Sequence, residues 1–338
     1  MRPPNDKTEI PFIMNLSKAK GEALFSHPLF ITLTALLCCA LWGSATPFIK
    51  IGYELLLPPD RDVPSTILFA GIRFFFAGVL TVVIFSIARK KVLYPKVENY
   101  GRVAIVAAFQ TVLQYIFFYV GLANTSGVKG TILTGSSTFF AILVSSLIFR
   151  LEKLNAKKIL ACVLGLGGIV VINLTGLNLS MNFLGDGFCV FSAISLAVSS
   201  TLIKIYSKNE DPVTISGYQF ILGGAVMIII GLSFGGKIDL GSGKGIAVLV
   251  YLSFLSAIAY SLWGILLKYN PVSKVTIFSF TTPIFGVILT SLLLTENSNV
   301  DILNLILALL LVCLGIFILN FKPKSGSIPE IQSSSKNT

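Results

Sequence analysis

Ten apolar stretches, joined by short polar connections, occupy almost the whole of this 338-residue chain. They run over residues 29–53, 66–88, 101–121, 129–149 and 157–174, then 183–206, 213–235, 246–268, 274–295 and 302–321. About 20 apolar residues wound as a helix match the thickness of a bilayer's hydrocarbon core. Lipid offers the backbone no hydrogen-bond partner, so each stretch must satisfy its own N–H and C=O groups as a helix. The sequence therefore predicts an all-α polytopic membrane protein with ten transmembrane helices. Composition agrees: charged residues make up 12% of the chain, against about 25% in a soluble domain. The lipid bilayer is the first partner expected.

The net charge of +11 could suggest a nucleic-acid partner, but the placement of the charges argues against one. With the N-terminus inside, 20 of the 26 basic residues fall on the cytoplasmic side, five fall outside and Arg73 lies within a span. That asymmetry is the positive-inside pattern, and it predicts both termini in the cytoplasm. The 1–28 segment is too long and mixed for a signal n-region, so the first span reads as a retained helix. The 322–338 segment is rich in Ser and Lys and reads as a disordered tail. The five cysteines (Cys38, Cys39, Cys162, Cys189 and Cys313) sit within apolar stretches, with no CxxC or Cys/His spacing. No disulfide framework, metal site or cofactor is expected from them.

The ten spans fall into two weakly similar sets of five, 29–174 and 183–321. Aligning Tyr115 with Tyr260 brings Lys129-Gly130-Thr131-Ile132 onto Lys274-Val275-Thr276-Ile277. Upstream, Gly71-Ile72-Arg73-Phe74 matches Gly217-Tyr218-Gln219-Phe220, and Gly78 matches Gly224; downstream, Asn173 meets Asn320. Five is odd, so the second set enters the membrane from the opposite side. Two inverted five-helix repeats are an architecture of alternating access, with the substrate near the midplane between them.

The motifs extend the repeat. Leu41-Trp42-Gly43-Ser44-Ala45-Thr46-Pro47-Phe48 lies in the first span, and Arg150-Leu151-Glu152-Lys153-Leu154 ends the fourth. Gly165, Gly167 and Gly168 enrich the fifth, Leu184-Gly185-Asp186-Gly187 opens the sixth, and Thr282-Pro283 lies in the ninth. In their order and spacing these motifs resemble the EamA-type members of the drug/metabolite transporter superfamily, over roughly residues 30–320. The resemblance implies a ten-helix carrier in the inner or plasma membrane, of a class that includes many exporters of amino acids and related metabolites. Two features depart from it. Ala197-Val198-Ser199-Ser200 stands where the second copy often has a tryptophan, and Gln219 stands opposite Arg73.

Arg73 is the costliest residue to place, about 2.5–3.5 kcal/mol for a charge at a helix centre. It lies seven residues past Thr66, roughly 10 Å into its span, which puts it in the outer half. It reads either as an anion-facing site or as a structural cation paired with Glu54, Asp186 or backbone carbonyls. Gln110 and Gln114 share a helix face, with Tyr115 and Tyr119 beside them, and Trp42 and Thr46 form a similar pair. Tyr260 and Trp263 are candidate aromatic walls. These nine residues form the candidate substrate site. Pro47 and Pro283 are hinge or packing candidates, as are the hydroxyl runs Thr134/Ser136/Ser137/Thr138 and Ser279/Thr281/Thr282. Asp186 should order the start of the sixth helix, and Lys50 and Lys204 should snorkel.

Other classes fit poorly. The single histidine, His27, precedes the first span, and no HExxH occurs, so an intramembrane protease lacks its catalytic groups and no catalytic residue is expected. Gly241-Ser242-Gly243-Lys244-Gly245 lacks the leading glycine and the Ser/Thr of a phosphate-binding loop. A channel stays open as an alternative, as does a carrier of drugs or other lipophilic compounds. No carboxylate sits mid-membrane, so no proton relay is visible. The reading is a secondary transporter of a small metabolite. A ten-helix pair of repeats can be a complete unit, which points to a monomer.

Overall fold

In the computed structural model, which describes residues 23–174, 182–293 and 302–320, every apolar stretch is helical. In chain order the helices are α1 (Pro28–Leu56), α2 (Val63–Ala88), α3 (Val97–Ala123), α4 (Lys129–Ile148) and α5 (Ala156–Ile172). There follow α6 (Phe183–Tyr206), α7 (Pro212–Ser233), α8 (Gly243–Tyr269), α9 (Val272–Leu293) and α10 (Ile302–Asn320). No strand occurs among the described residues. The shortest helix, α5, has 17 residues, about 26 Å at 1.5 Å per residue, near the lower limit for a span. Residues 1–22 and the 322–338 tail lie outside the described residues.

Capping places the ends that hydropathy leaves open. Asp62 accepts a hydrogen bond from the Ser65 N–H at 2.6 Å, and a proline follows in the first turn, so α2 starts three residues before its apolar run. Asp211 does the same for α7 through the Thr214 N–H at 3.1 Å, again with proline in the first turn. Such caps contribute about 1 kcal/mol each. The earlier start of α2 puts Arg73 ten residues past Val63, about 15 Å into the helix, deeper than its apolar run indicates.

Packing follows the repeat. The helix α2 lies along α7, and α5 lies along α10. The helix α1 packs against α8 and α9, while its counterpart α6 packs against α3 and α4. Exchanging the repeats maps each of these contacts onto another, which is what a pseudo-two-fold axis requires. The self-paired contacts are reciprocal down to single atoms. A methyl group on Gly224 would sit 2.8 Å from the Gly71 carbonyl oxygen, and one on Gly78 would sit 2.5 Å from the Gly217 carbonyl oxygen. At α5–α10, a methyl on Gly168 would lie 2.9 Å from the Ala308 oxygen, and one on Gly315 would lie 2.8 Å from the Ala161 oxygen. Close backbone approach through small residues is how helices associate where no water drives them together.

The outward faces are apolar. Ile302, Leu303, Ile306, Leu310, Leu314 and Phe317 of α10 are exposed, as are Ile159, Leu160 and Val163 of α5. An apolar belt of this extent is untenable in water and fits hydrocarbon. The chain is a multi-pass membrane protein.

Overpacking the central crossing should be costly. Gly78→Leu is expected to destabilise the bundle by about 1–3 kcal/mol, seen as an earlier loss of the monodisperse peak on heating in detergent. Gly101→Ala, where a methyl would meet nothing within 4 Å, should leave that profile unchanged or slightly raised.

Candidate functional site

Two equivalent helices are interrupted partway along. In α4, one α-helical segment ends at Gly135 and another starts at Ser137, with Ser136 between them. In α9, Val272–Thr276 gives way to a tight 3-10 turn over Ile277–Thr281, and the α-helix resumes at Thr282. Pro283 falls in the first turn of the resumed helix, where its missing N–H costs least, so it marks the break and does not kink a continuous helix. Pro47, by contrast, is buried inside α1. Irregular backbone at this depth is tolerated only where it is buried or lines a cavity.

Such a cavity lies beside both breaks. It has a volume of about 30 Å³ and is lined by Ser137 and Thr138 of α4, Thr276 and Ser279 of α9, and Trp42 and Trp263 among others. Thr138 ties the two helices together by donating to the Thr276 carbonyl at 3.1 Å. A space this small holds about two waters; a metabolite would need several hundred Å³. The bundle is contracted here.

A chain of aromatic contacts leads from this cavity to Arg73. Trp42 packs on Trp263 at 4.9 Å between ring centroids and on Tyr260 at 5.1 Å. The Tyr260 hydroxyl lies 3.0 Å from that of Tyr115, its counterpart in the other repeat. Phe74 stacks on Phe220, also its counterpart, at 5.0 Å with the rings 10° from parallel. The Arg73 guanidinium lies 4.3 Å from the Phe74 ring centroid and 5.9 Å from that of Tyr115. Tyr119 packs on Tyr115 at 6.0 Å. Trp42, Arg73, Tyr115, Tyr119, Tyr260 and Trp263 are thus brought together.

Arg73 is 3% exposed, and no carboxylate among the described residues pairs with it. This corrects both expected ion pairs. Glu54 meets Arg61 at 3.7 Å and Asp186 meets Lys129 at 2.6 Å. The Arg73 Nε is buried without an acceptor, so the expected bonds to backbone carbonyls are absent for that atom too. Ring faces compensate it among the described residues, at about 2 kcal/mol for a desolvated cation–π contact.

The amides behave differently. A widened turn over Ala108–Leu113 carries Gln110 and Thr111, and Gln114 follows it. Thr111 donates to Gln219 Oε1 at 2.6 Å. Gln110 and Gln114 are buried and each has an oxygen without a donor. Thr46 does not join the cluster. It is exposed and faces Gly286 of α9, because a four-residue step turns it about 40° past Trp42, from α8 toward α9.

The sequence profile of the EamA-like transporter family matches residues 29–174 and 183–321. The chain belongs to that family. An uncharacterized transporter of Synechocystis is 27% identical over 68% of this chain and 74% of its own length. A WAT1-related chloroplastic protein of Arabidopsis thaliana is 23% identical over 83% of this chain and 67% of its own. The uncharacterized transporter YoaV of Bacillus subtilis is 24% identical over 83% and 93%. One solved structure shares the fold, with a TM-score of 0.70 at 16% identity, covering 86% of this chain and 96% of that one. As a member of the family the protein is a membrane transporter of the drug/metabolite superfamily.

Two polar clasps, one at each end of this EamA bundle, join its repeats. At one end Asp186 pairs with Lys129 and accepts from Thr125 Oγ1 at 2.5 Å and from the Asn182 N–H at 2.9 Å. It therefore orders the start of α6, as expected, and also ties it to α4. At the other end Glu152 accepts from Ser145 Oγ at 2.8 Å, Lys158 Nζ at 2.8 Å, the Ser273 N–H at 2.9 Å and the Ser273 hydroxyl. Sequence reading recorded Glu152 only as part of a motif; its partner on α9 is 121 residues away. Lys204 does not snorkel; it donates to the Lys268 carbonyl at 2.8 Å, at the end of α8.

Burial pushes the Glu152 carboxyl up, but its bonds from Lys158, Ser273 and Ser145 outweigh this and hold it below the usual carboxylate range. A lowered pKa stabilises the fold fully above the unfolded value of about 4.3, and the effect fades as pH falls through the folded value. Glu152→Gln should therefore unfold at a lower temperature than wild type at pH 7, with the difference shrinking below about pH 4.3. Thermal scans across pH would read this out.

Proposed function

We propose that the protein is an alternating-access carrier of a small metabolite bearing a carboxylate, an amino acid or related acid, with the site between its repeats at Arg73 and the adjoining aromatic cluster. The observation that carries this reading is the guanidinium of Arg73, 3% exposed and without a carboxylate partner among the described residues. A buried cation left unpaired costs several kcal/mol, and a bound anion would remove that cost. Trp42, Tyr260 and Trp263 then supply an apolar wall for the rest of the ligand. Gln110 and Gln114 supply amides that still have bonds to make. The broken helices α4 and α9 supply the moving parts.

The basic residues support an inner or plasma membrane location with both termini cytoplasmic, and the family resemblance favours export as the direction. The ten-helix pair of repeats supports a monomer. The family and its relatives favour transport over catalysis.

The test is flux in liposomes carrying purified protein and a panel of labelled amino acids and related acids, with and without an imposed pH gradient. Saturable flux of a carboxylate is expected. Arg73→Ala should reduce it at least tenfold while the protein stays monodisperse, and Arg73→Lys should retain part of it because the charge remains. Unchanged flux in a folded Arg73→Ala protein would show that the anion site lies elsewhere.

A further inference from the structure

We infer that this site selects a net-monoanionic organic acid with an apolar or aromatic body, in preference to the zwitterionic amino acid of the same skeleton. The inference rests on the carboxylate-carrier reading and narrows its substrate class.

It starts from the charges that surround Arg73. The guanidinium is a single buried cation, and Gln219, uncharged, occupies its position in the second repeat. A substrate carboxylate would bring the local sum to zero. An α-ammonium group on the same substrate would restore a positive charge and would need its own acceptors. Among the described residues, every Asp and Glu lies in a terminal turn or a connection, and none lies in the middle of a helix. Of the acids in terminal turns, Glu54 meets Arg61 and Asp186 meets Lys129.

Ring faces can hold an ammonium group, but the rings nearest Arg73 already face its guanidinium: Phe74 at 4.3 Å and Tyr115 at 5.9 Å. Two cations sharing these rings would repel each other in a medium of low dielectric constant. A dicarboxylate errs in the opposite direction, since its second charge would find no second cation in the cluster. What the cluster does offer beyond Arg73 is neutral: the tryptophan pair, the Tyr115–Tyr260 hydroxyls, Ser137, Thr138 and Ser279 at the cavity, and the unpartnered amide oxygens of Gln110 and Gln114, which can accept a hydrogen bond but bring no negative charge to balance a second cation. These groups suit an apolar body and a hydroxyl or oxo group.

The test compares matched pairs that differ at one group. Labelled 3-phenyllactate is set against phenylalanine, and 2-hydroxy-4-methylpentanoate against leucine, at pH 7 in liposomes carrying the full chain. Protein-free liposomes correct for leak. The result expected is saturable flux of each hydroxy acid at least tenfold above its amino acid, lost in Arg73→Gln. In detergent, the hydroxy acid should raise the unfolding temperature of wild type but not of Arg73→Gln, and the amino acid should raise neither. Equal or faster flux of the amino acids, still lost in Arg73→Gln, would overturn the selectivity and leave the carboxylate carrier standing. Flux that persists in folded Arg73→Gln would remove the carboxylate reading itself. So would the absence of both flux and thermal stabilisation for all four compounds, and the selectivity would go with it.

Discussion

At the crossing of α2 and α7 the two backbones come so close that neither Gly78 nor Gly224 has room for a single methyl group. The arrangement of the bundle depends on that contact. It fixes the register of the two repeats, because only one sliding position sets Gly71 against Gly224 and Gly217 against Gly78 at once. It also fixes what lies beside it. Arg73 and Phe74 follow Gly71 by two and three residues, and Phe220 follows Gly217 by three. The crossing therefore stacks Phe74 on Phe220 and holds the guanidinium over their edge of the cluster.

Within this symmetric frame the chemistry is one-sided. Aromatic counterparts meet each other, Phe74 with Phe220 and Tyr115 with Tyr260, so these two contacts are shared equally by the repeats. The charge is not shared. Arg73 has Gln219 as its counterpart, and Gln219 is already bonded to Thr111. The cavity is similarly mixed, with hydroxyls from both α4 and α9 but a tryptophan pair from α1 and α8. Symmetry supplies the scaffold, and departures from it place the charge and the tryptophan pair.

The helices were legible to within four residues because hydrocarbon thickness forces their length. The ends that differed did so through caps such as Asp62, a polar residue that hydropathy excludes and helix geometry recruits. The reciprocal glycines were legible as an alignment, but not as a contact. The partner of Arg73 was misjudged for a physical reason: sequence shows which acids exist, not which are already paired across 57 residues, as Asp186 is with Lys129. The Glu152 clasp escaped for the same reason. Thr46 was grouped with Trp42 by helical spacing alone, and 40° of rotation was enough to carry it to a different neighbour. The break in α4 at Ser136 gave only a weak signal, since a run of small hydroxyls equally suits close packing.

The Tyr115–Tyr260 bond joins two equivalent residues, so it is its own image when the repeats trade places. Either hydroxyl can donate, and nothing is lost on exchange. The Asp186–Lys129 clasp is of a different kind, since it joins an acid of α6 to a base of α4 that are not equivalent positions of the repeats. The bundle is thus held by one bond that its symmetry leaves unchanged and by another that its symmetry moves to a different pair of positions.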